Sequence, residues 1–94
     1  MRVQVKYFAS LRELMGVSEE EYEISGEVTL RELLTNHIPE RHREASDTWR
    51  EKISSFLKGE EAGYIVIVNG RRMDLDQKLK DGDVVAVLPP IGGG

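Results

Sequence analysis

The pair Asn69-Gly70, set directly after the apolar run Tyr64 to Val68, restricts the fold more than any other feature of the chain. Both residues tolerate positive φ, which a two-residue turn between antiparallel strands demands, so the chain doubles back there. The spacing predicts a strand over 64–68 and a short return strand over Arg71 to Met73. Leu75 and Leu79 then anchor a turn or short helical segment, Asp81-Gly82-Asp83 reverses the chain, and Val84 to Leu88 reads as a last strand. A sheet is the frame on which everything else must pack.

The first half of the chain supplies two more strands and the helices. Arg2 to Phe8 alternates, with Val3, Val5 and Tyr7 on one side and Arg2, Gln4, Lys6 and Phe8 on the other. Ser10 and Glu13 have capping-box spacing, Leu11, Leu14 and Met15 supply a stripe, and Gly16 suits a helix stop. Glu21 to Ile24 reads as a short strand with Tyr22 and Ile24 inward. Thr29 and Glu32 repeat the capping box and open the clearest helix, with Leu30, Leu33, Leu34, His37 and Ile38 near one face, and Pro39 is expected to end it. Residues 40–48 are polar and read as a loop or frayed helix. Thr48 and Glu51 offer a third box ahead of Trp49, Ile53, Phe56 and Leu57, a stripe expected to pack on the sheet edge before Gly59 stops the helix.

The order strand, strand, helix, strand, strand, strand is a β-grasp, ubiquitin-like pattern of the α+β class. It predicts a five-stranded mixed sheet packed on one main helix, a single domain over 1–88 and a C-terminal tail over 89–94. With 94 residues there is room for one modest core. A net charge of −4 argues against a general affinity for nucleic acid. No apolar run reaches the length of a membrane span, and with no signal peptide in view the expected location is cytoplasmic.

The search for chemistry is mostly negative. The absence of cysteine excludes disulfides and thiolate chemistry. His37 and His42 stand across a proline at a spacing unlike a metal pair, no phosphate-cradling glycine loop or nucleophile elbow is present, and Glu19 to Glu21 and Glu60 to Glu61 read as solvated faces, as Arg71 and Arg72 read as a solvated turn. Nothing here runs a complete reaction alone. What remains is the tail, where the last strand meets Pro89-Pro90, which steer the backbone into extended geometry, and then Ile91-Gly92-Gly93-Gly94. Extended, 89–94 reaches about 20 Å at roughly 3.3 Å per residue, with the carboxylate of Gly94 at its tip. On one consistent register Phe8, Ile65, Ile67, Ala86 and Leu88 share the sheet face away from Val3, Val5 and Tyr7, an apolar patch of the kind that marks a partner surface unless the Trp49 helix or a second copy covers it.

Tyr7-Phe8-Ala9-Ser10-Leu11-Arg12-Glu13-Leu14-Met15-Gly16, Val68-Asn69-Gly70, and Asp81-Gly82-Asp83-x-Val85-Ala86-x-Leu88-Pro89-Pro90 running to Gly93-Gly94 resemble the MoaD/ThiS family of ubiquitin-like sulfur carriers over nearly the whole chain. The third glycine and the length of the 40–60 region depart from a minimal member. The resemblance implies a subunit rather than an autonomous enzyme, with no permanently bound cofactor. A ubiquitin-activating-like adenylyltransferase would use ATP to adenylate Gly94, and a sulfur donor would convert it to a thiocarboxylate. A larger molybdopterin synthase subunit, supplying the catalytic side chains, would take the tail with Gly92 and Gly93 inserted and pass the sulfur to a pterin precursor. Phe8, Arg12, Ile65, Ile67, Leu88, Pro89 and Pro90 would form the partner-binding set. The alternatives are conjugation through Gly94 to lysines of target proteins, sulfur supply for thiamine or tRNA thiolation, and a plain interaction module with an inert tail.

Overall fold

The computed structural model describes residues 1–60 and 62–90. Four strands, β1 (Arg2–Tyr7), β2 (Glu19–Glu23), β3 (Ile65–Val68) and β4 (Val84–Leu88), form one sheet in the order β2-β1-β4-β3. β1 pairs antiparallel with β2 and parallel with β4, and β3 pairs antiparallel with β4. This is the mixed β-grasp sheet expected, with one strand fewer.

The fifth strand fails because its backbone is claimed elsewhere. Asn69 and Gly70 take φ of 52° and 79°, and Arg71 exchanges both backbone hydrogen bonds with Val68, at 2.8 and 3.0 Å. Beyond that single bridge the chain turns toward the central helix, where the carbonyls of Leu75 and Gln77 accept from the N–H groups of Arg31 and Leu30 at 2.8 and 3.1 Å. The first N–H groups of a helix have no partner within it, so the segment after the hairpin satisfies them instead of extending a ladder.

The central helix opens on the predicted capping box: Thr29 accepts from the Glu32 N–H, and the Glu32 carboxylate accepts from the Thr29 N–H at 3.0 Å. It does not end at Pro39. An α-turn over Leu30–Glu32 widens to a π-turn over Leu33–His37 and returns to α over Ile38–Arg41. The Ile38 N–H reaches back five residues to the Leu33 carbonyl, and this widening admits a proline that has no donor and would crowd a regular turn. Residues 40–48 are more ordered than expected: a 3-10 turn over Arg43–Ala45 leads into a helix over Ser46–Leu57. That helix starts two residues before Thr48, so the third capping box does not form.

All helices pack on one face of the sheet. Val3, Val5 and Tyr7 meet Leu11, Leu30, Leu33, Leu34, Ile38, Trp49 and Ile53 in a single buried cluster. Trp49 is fully buried, stands edge-on to Tyr7 with ring centroids 6.0 Å apart, and donates its indole N–H to the Leu34 carbonyl at 2.9 Å. The stripe led by Trp49 is core, and it seals the inner face rather than the outer one. Among the described residues no helix is long and apolar enough to cross a membrane.

Candidate functional site: the open sheet face and the root of the tail

The parallel pairing of β1 and β4 brings the ends of both strands to the same end of the sheet. Tyr7 is in register with Val87, so the next step of each strand places Phe8 beside Leu88, just before the chain enters Pro89 and Pro90. Alternation fixes which side chains face outward: Val85 and Val87 are buried, while Val84, Ala86 and Leu88 are half-exposed. β3 repeats the pattern with Val66 and Val68 inward and Ile65 and Ile67 outward. The register pairs Ile65 with Leu88 and Ile67 with Ala86, so the outward apolar residues lie next to one another across the two strands.

Phe8 closes this patch at the sheet end and is 40% exposed, one of two large apolar side chains so exposed among the described residues. β1 and β2 give the rest of the face a polar half, through Gln4, Lys6, Glu19, Glu21 and Glu23. The predicted apolar residues are therefore brought together, and the Trp49 helix packs on the opposite face, meeting them only at the edge, where Ile65 shares a cleft with its Lys52 and Ser55. Arg12 lies exposed on the short helix Ser10–Met15 that follows Phe8. Pro89 and Pro90 are half-exposed and line a cleft of about 650 Å³ with Lys52, Ser55, Tyr64 and Ile65. Gly92, Gly93 and Gly94 lie outside the described residues.

A polar cluster behind this end of the sheet escaped the sequence reading. Glu20, expected on a solvated face, turns inward, and its Oε2 accepts from Tyr7 Oη at 2.6 Å, Tyr22 Oη at 2.9 Å and His42 Nε2 at 2.6 Å. An ionised carboxylate only accepts, so His42 carries its proton on Nε2. Arg41 lies 3.7 Å from Glu20 Oε1 and stacks 3.8 Å over the Tyr22 ring. Burial alone would raise the Glu20 pKa, but the hydrogen bonds from Tyr7, His42 and Tyr22 outweigh it and hold the carboxyl below its ordinary range. Burial, reinforced by the Glu20 carboxylate, pushes the Tyr7 phenol well up. Two tyrosines and an arginine at this spacing give a weak sequence signal, because β2, β1 and the end of the central helix meet only in the fold. The cluster ties residues 41–42 to β1, the strand that leads into Phe8. No group of three or more potential metal ligands occurs among the described residues.

The family model described as ThiS family matches residues 5–94. The molybdopterin synthase sulfur carrier subunit of Chlamydomonas reinhardtii is 34% identical over 94 residues, covering 100% of both chains. Among solved structures, molybdopterin converting factor subunit 1 from Pyrococcus furiosus superposes with a TM-score of 0.76 at 38% identity, covering 97% of this chain and 99% of that one. Small archaeal modifier protein 1 from Methanosarcina acetivorans gives 0.68 at 26% identity over 99% of this chain and 96% of that one.

Proposed function

The chain belongs to the ThiS family, and from that premise we propose that it is a sulfur carrier whose Gly94 carboxylate is converted to a thiocarboxylate and whose sulfur is used in molybdopterin synthesis. The observation that carries this reading is the full-length likeness to a molybdopterin synthase sulfur carrier subunit, which spans 100% of both chains. The open apolar face beside the root of the tail supports it, because a carrier must dock while its end reaches into another protein's active site.

A carboxylate lacks a good leaving group, so activation precedes sulfur transfer. A Gly94 carboxylate oxygen attacks the α-phosphorus of ATP on an adenylating partner, pyrophosphate leaves, and a mixed anhydride forms. A sulfur nucleophile then attacks the carbonyl carbon and AMP leaves, which places sulfur where an oxygen was. Glycine at 93 and 94 keeps the tail narrow and the carbonyl uncrowded. This chain's own contribution is presentation: Phe8, Ile65, Ile67 and Leu88 dock, Arg12 adds a polar contact at the rim, and Pro89-Pro90 direct the tail outward. The side chains that move protons during sulfur release belong to the larger synthase subunit.

Adenylation is tested by pyrophosphate exchange with the cognate activating enzyme. The full chain supports ATP-pyrophosphate exchange and the chain lacking residues 92–94, which ends on Ile91, does not; equal exchange with both would remove the glycine terminus from the chemistry. A second reading, conjugation to lysines of other proteins, is favoured by the likeness to a small archaeal modifier protein. It predicts ladders on reducing denaturing gels of cell extract that vanish when residues 92–94 are deleted.

A further inference from the structure

Arg71 and Arg72 read in the sequence as a solvated turn, but the fold brings a third cation to them. A groove of about 430 Å³ is lined by Asn69, Arg71, Met73, Gln77 and Lys80. Its two walls are fixed by backbone. Arg71 exchanges both of its backbone hydrogen bonds with Val68, and Asp83 clasps one wall to the other, accepting from Asn69 Nδ2 at 2.9 Å and from the Lys80 N–H at 2.7 Å. The Cα atoms of Arg71 and Lys80 are therefore held in place without a ligand.

The charges in this groove are unbalanced. Asp83 also lines it, but this carboxylate is buried and spends each oxygen on a neutral donor rather than on a cation. Among the described residues, the exposed side chains of Arg71 and Lys80 have no hydrogen bond or ion pair. Arg72 lines the groove as well and is already engaged. In a chain of net charge −4, two unpaired cations thus face one groove, and they suit a ligand that carries carboxylates. Half-buried Met73 adds apolar surface between the polar groups. No aromatic side chain lines the groove for a base to stack on, and the net charge opposes a polynucleotide, so a peptide fits better than a nucleic acid.

We propose that this groove is a second docking site, which binds an acidic peptide segment of a partner protein: carboxylates of the segment pair with Arg71 and Lys80, and an apolar side chain between them lies against Met73. The site stands apart from the open face. β3 and β4 pair Ile65 with Leu88 at the end where the tail leaves and Val68 with Val85 at the other, so Asn69 and the groove lie at the end of the hairpin away from Pro89. A partner held here leaves Phe8, Leu88 and the root of the tail free. The inference does not depend on the carrier reading.

The test titrates the full chain with the capped peptide Glu-Glu-Leu-Glu-Glu and follows backbone amides by NMR. Saturable shifts are expected at residues 69–73 and 77–80, with Phe8, Ile65 and Leu88 unmoved, and binding weakens as salt is raised. The neutral peptide Gln-Gln-Leu-Gln-Gln leaves the same amides unchanged, a control that needs no variant. Reversing both charges, Arg71→Glu with Lys80→Glu, weakens binding about tenfold, while unmoved amides in β1 and β2 verify the fold. Absent or scattered shifts, equal binding of the neutral peptide, or undiminished binding by the folded double variant would overturn the proposal. So would an oligouridine that binds these amides more tightly than the peptide, which would make the groove a nucleic-acid site, or inorganic phosphate that moves them as strongly, which would make it a general anion site.

Discussion

His42 Nε2 lies 2.6 Å from Glu20 Oε2, joining the segment after the central helix to β2 across 22 residues of sequence. Tyr7 and Tyr22 donate to the same oxygen, so one half-buried carboxylate gathers three donors and leaves none of them unpaired. Glu20→Gln keeps the shape but places an amide that must both donate and accept where only an acceptor fits. The expected cost is about 1–3 kcal/mol in denaturant unfolding.

The same carboxylate gives the fold an acid limb. Its pKa is lowered in the folded state, so its contribution is fully present above the ordinary carboxylate pKa and is lost as pH falls through the lower folded value. Unfolding midpoints measured from neutral pH into acid fall through that window in the parent, and fall less steeply in Glu20→Gln. Parallel curves would show that Glu20 does not carry the effect.

The two sheet faces differ in what substitution costs. Ile53→Ala removes a fully buried side chain and is expected to cost about 2–5 kcal/mol, read from the fluorescence of Trp49, the one tryptophan in the chain. Ile67→Ala and Phe8→Asp, on the open face, change stability by about 0.5 kcal/mol or less and weaken binding to the activating enzyme. Loss of cooperative unfolding in Phe8→Asp would place Phe8 in the core and reverse the face assignment.

Asn69 combines a turn with a clasp. Asn69→Gly keeps the positive φ and loses the hydrogen bonds to Asp83 and Val84, whereas Asn69→Ala loses both the bonds and the conformational tolerance. Thermal unfolding therefore ranks the parent above Asn69→Gly, and Asn69→Gly above Asn69→Ala, with steps on the order of 1 kcal/mol.

Features set by neighbours in sequence were legible before the fold was known. The alternation of Val3, Val5 and Tyr7, the Thr29–Glu32 capping box and the Asn69-Gly70 turn each encode local geometry in residues a few positions apart, and each stands as read. So does the shared face of Phe8, Ile65, Ile67, Ala86 and Leu88, because period-two alternation survives packing. Features that depend on distant partners did not follow. Ser10 abandons its cap for Tyr64, the 71–77 segment leaves the sheet to satisfy Leu30 and Arg31, Pro39 is absorbed by a widened turn, and Glu20 is drawn inward by two tyrosines and a histidine. In each case a tertiary hydrogen bond or packing demand outweighed a propensity worth no more than about 1–3 kcal/mol.

The central claim concerns the fate of Gly94, and intact mass spectrometry with C-terminal fragmentation tests it most directly. After incubation with the activating enzyme, ATP and a sulfur donor, the chain is predicted to exchange one oxygen for sulfur, with the change confined to the fragment ending at Gly94. An unchanged mass, from an enzyme that demonstrably adenylates this chain and a donor shown to be active, would contradict the account.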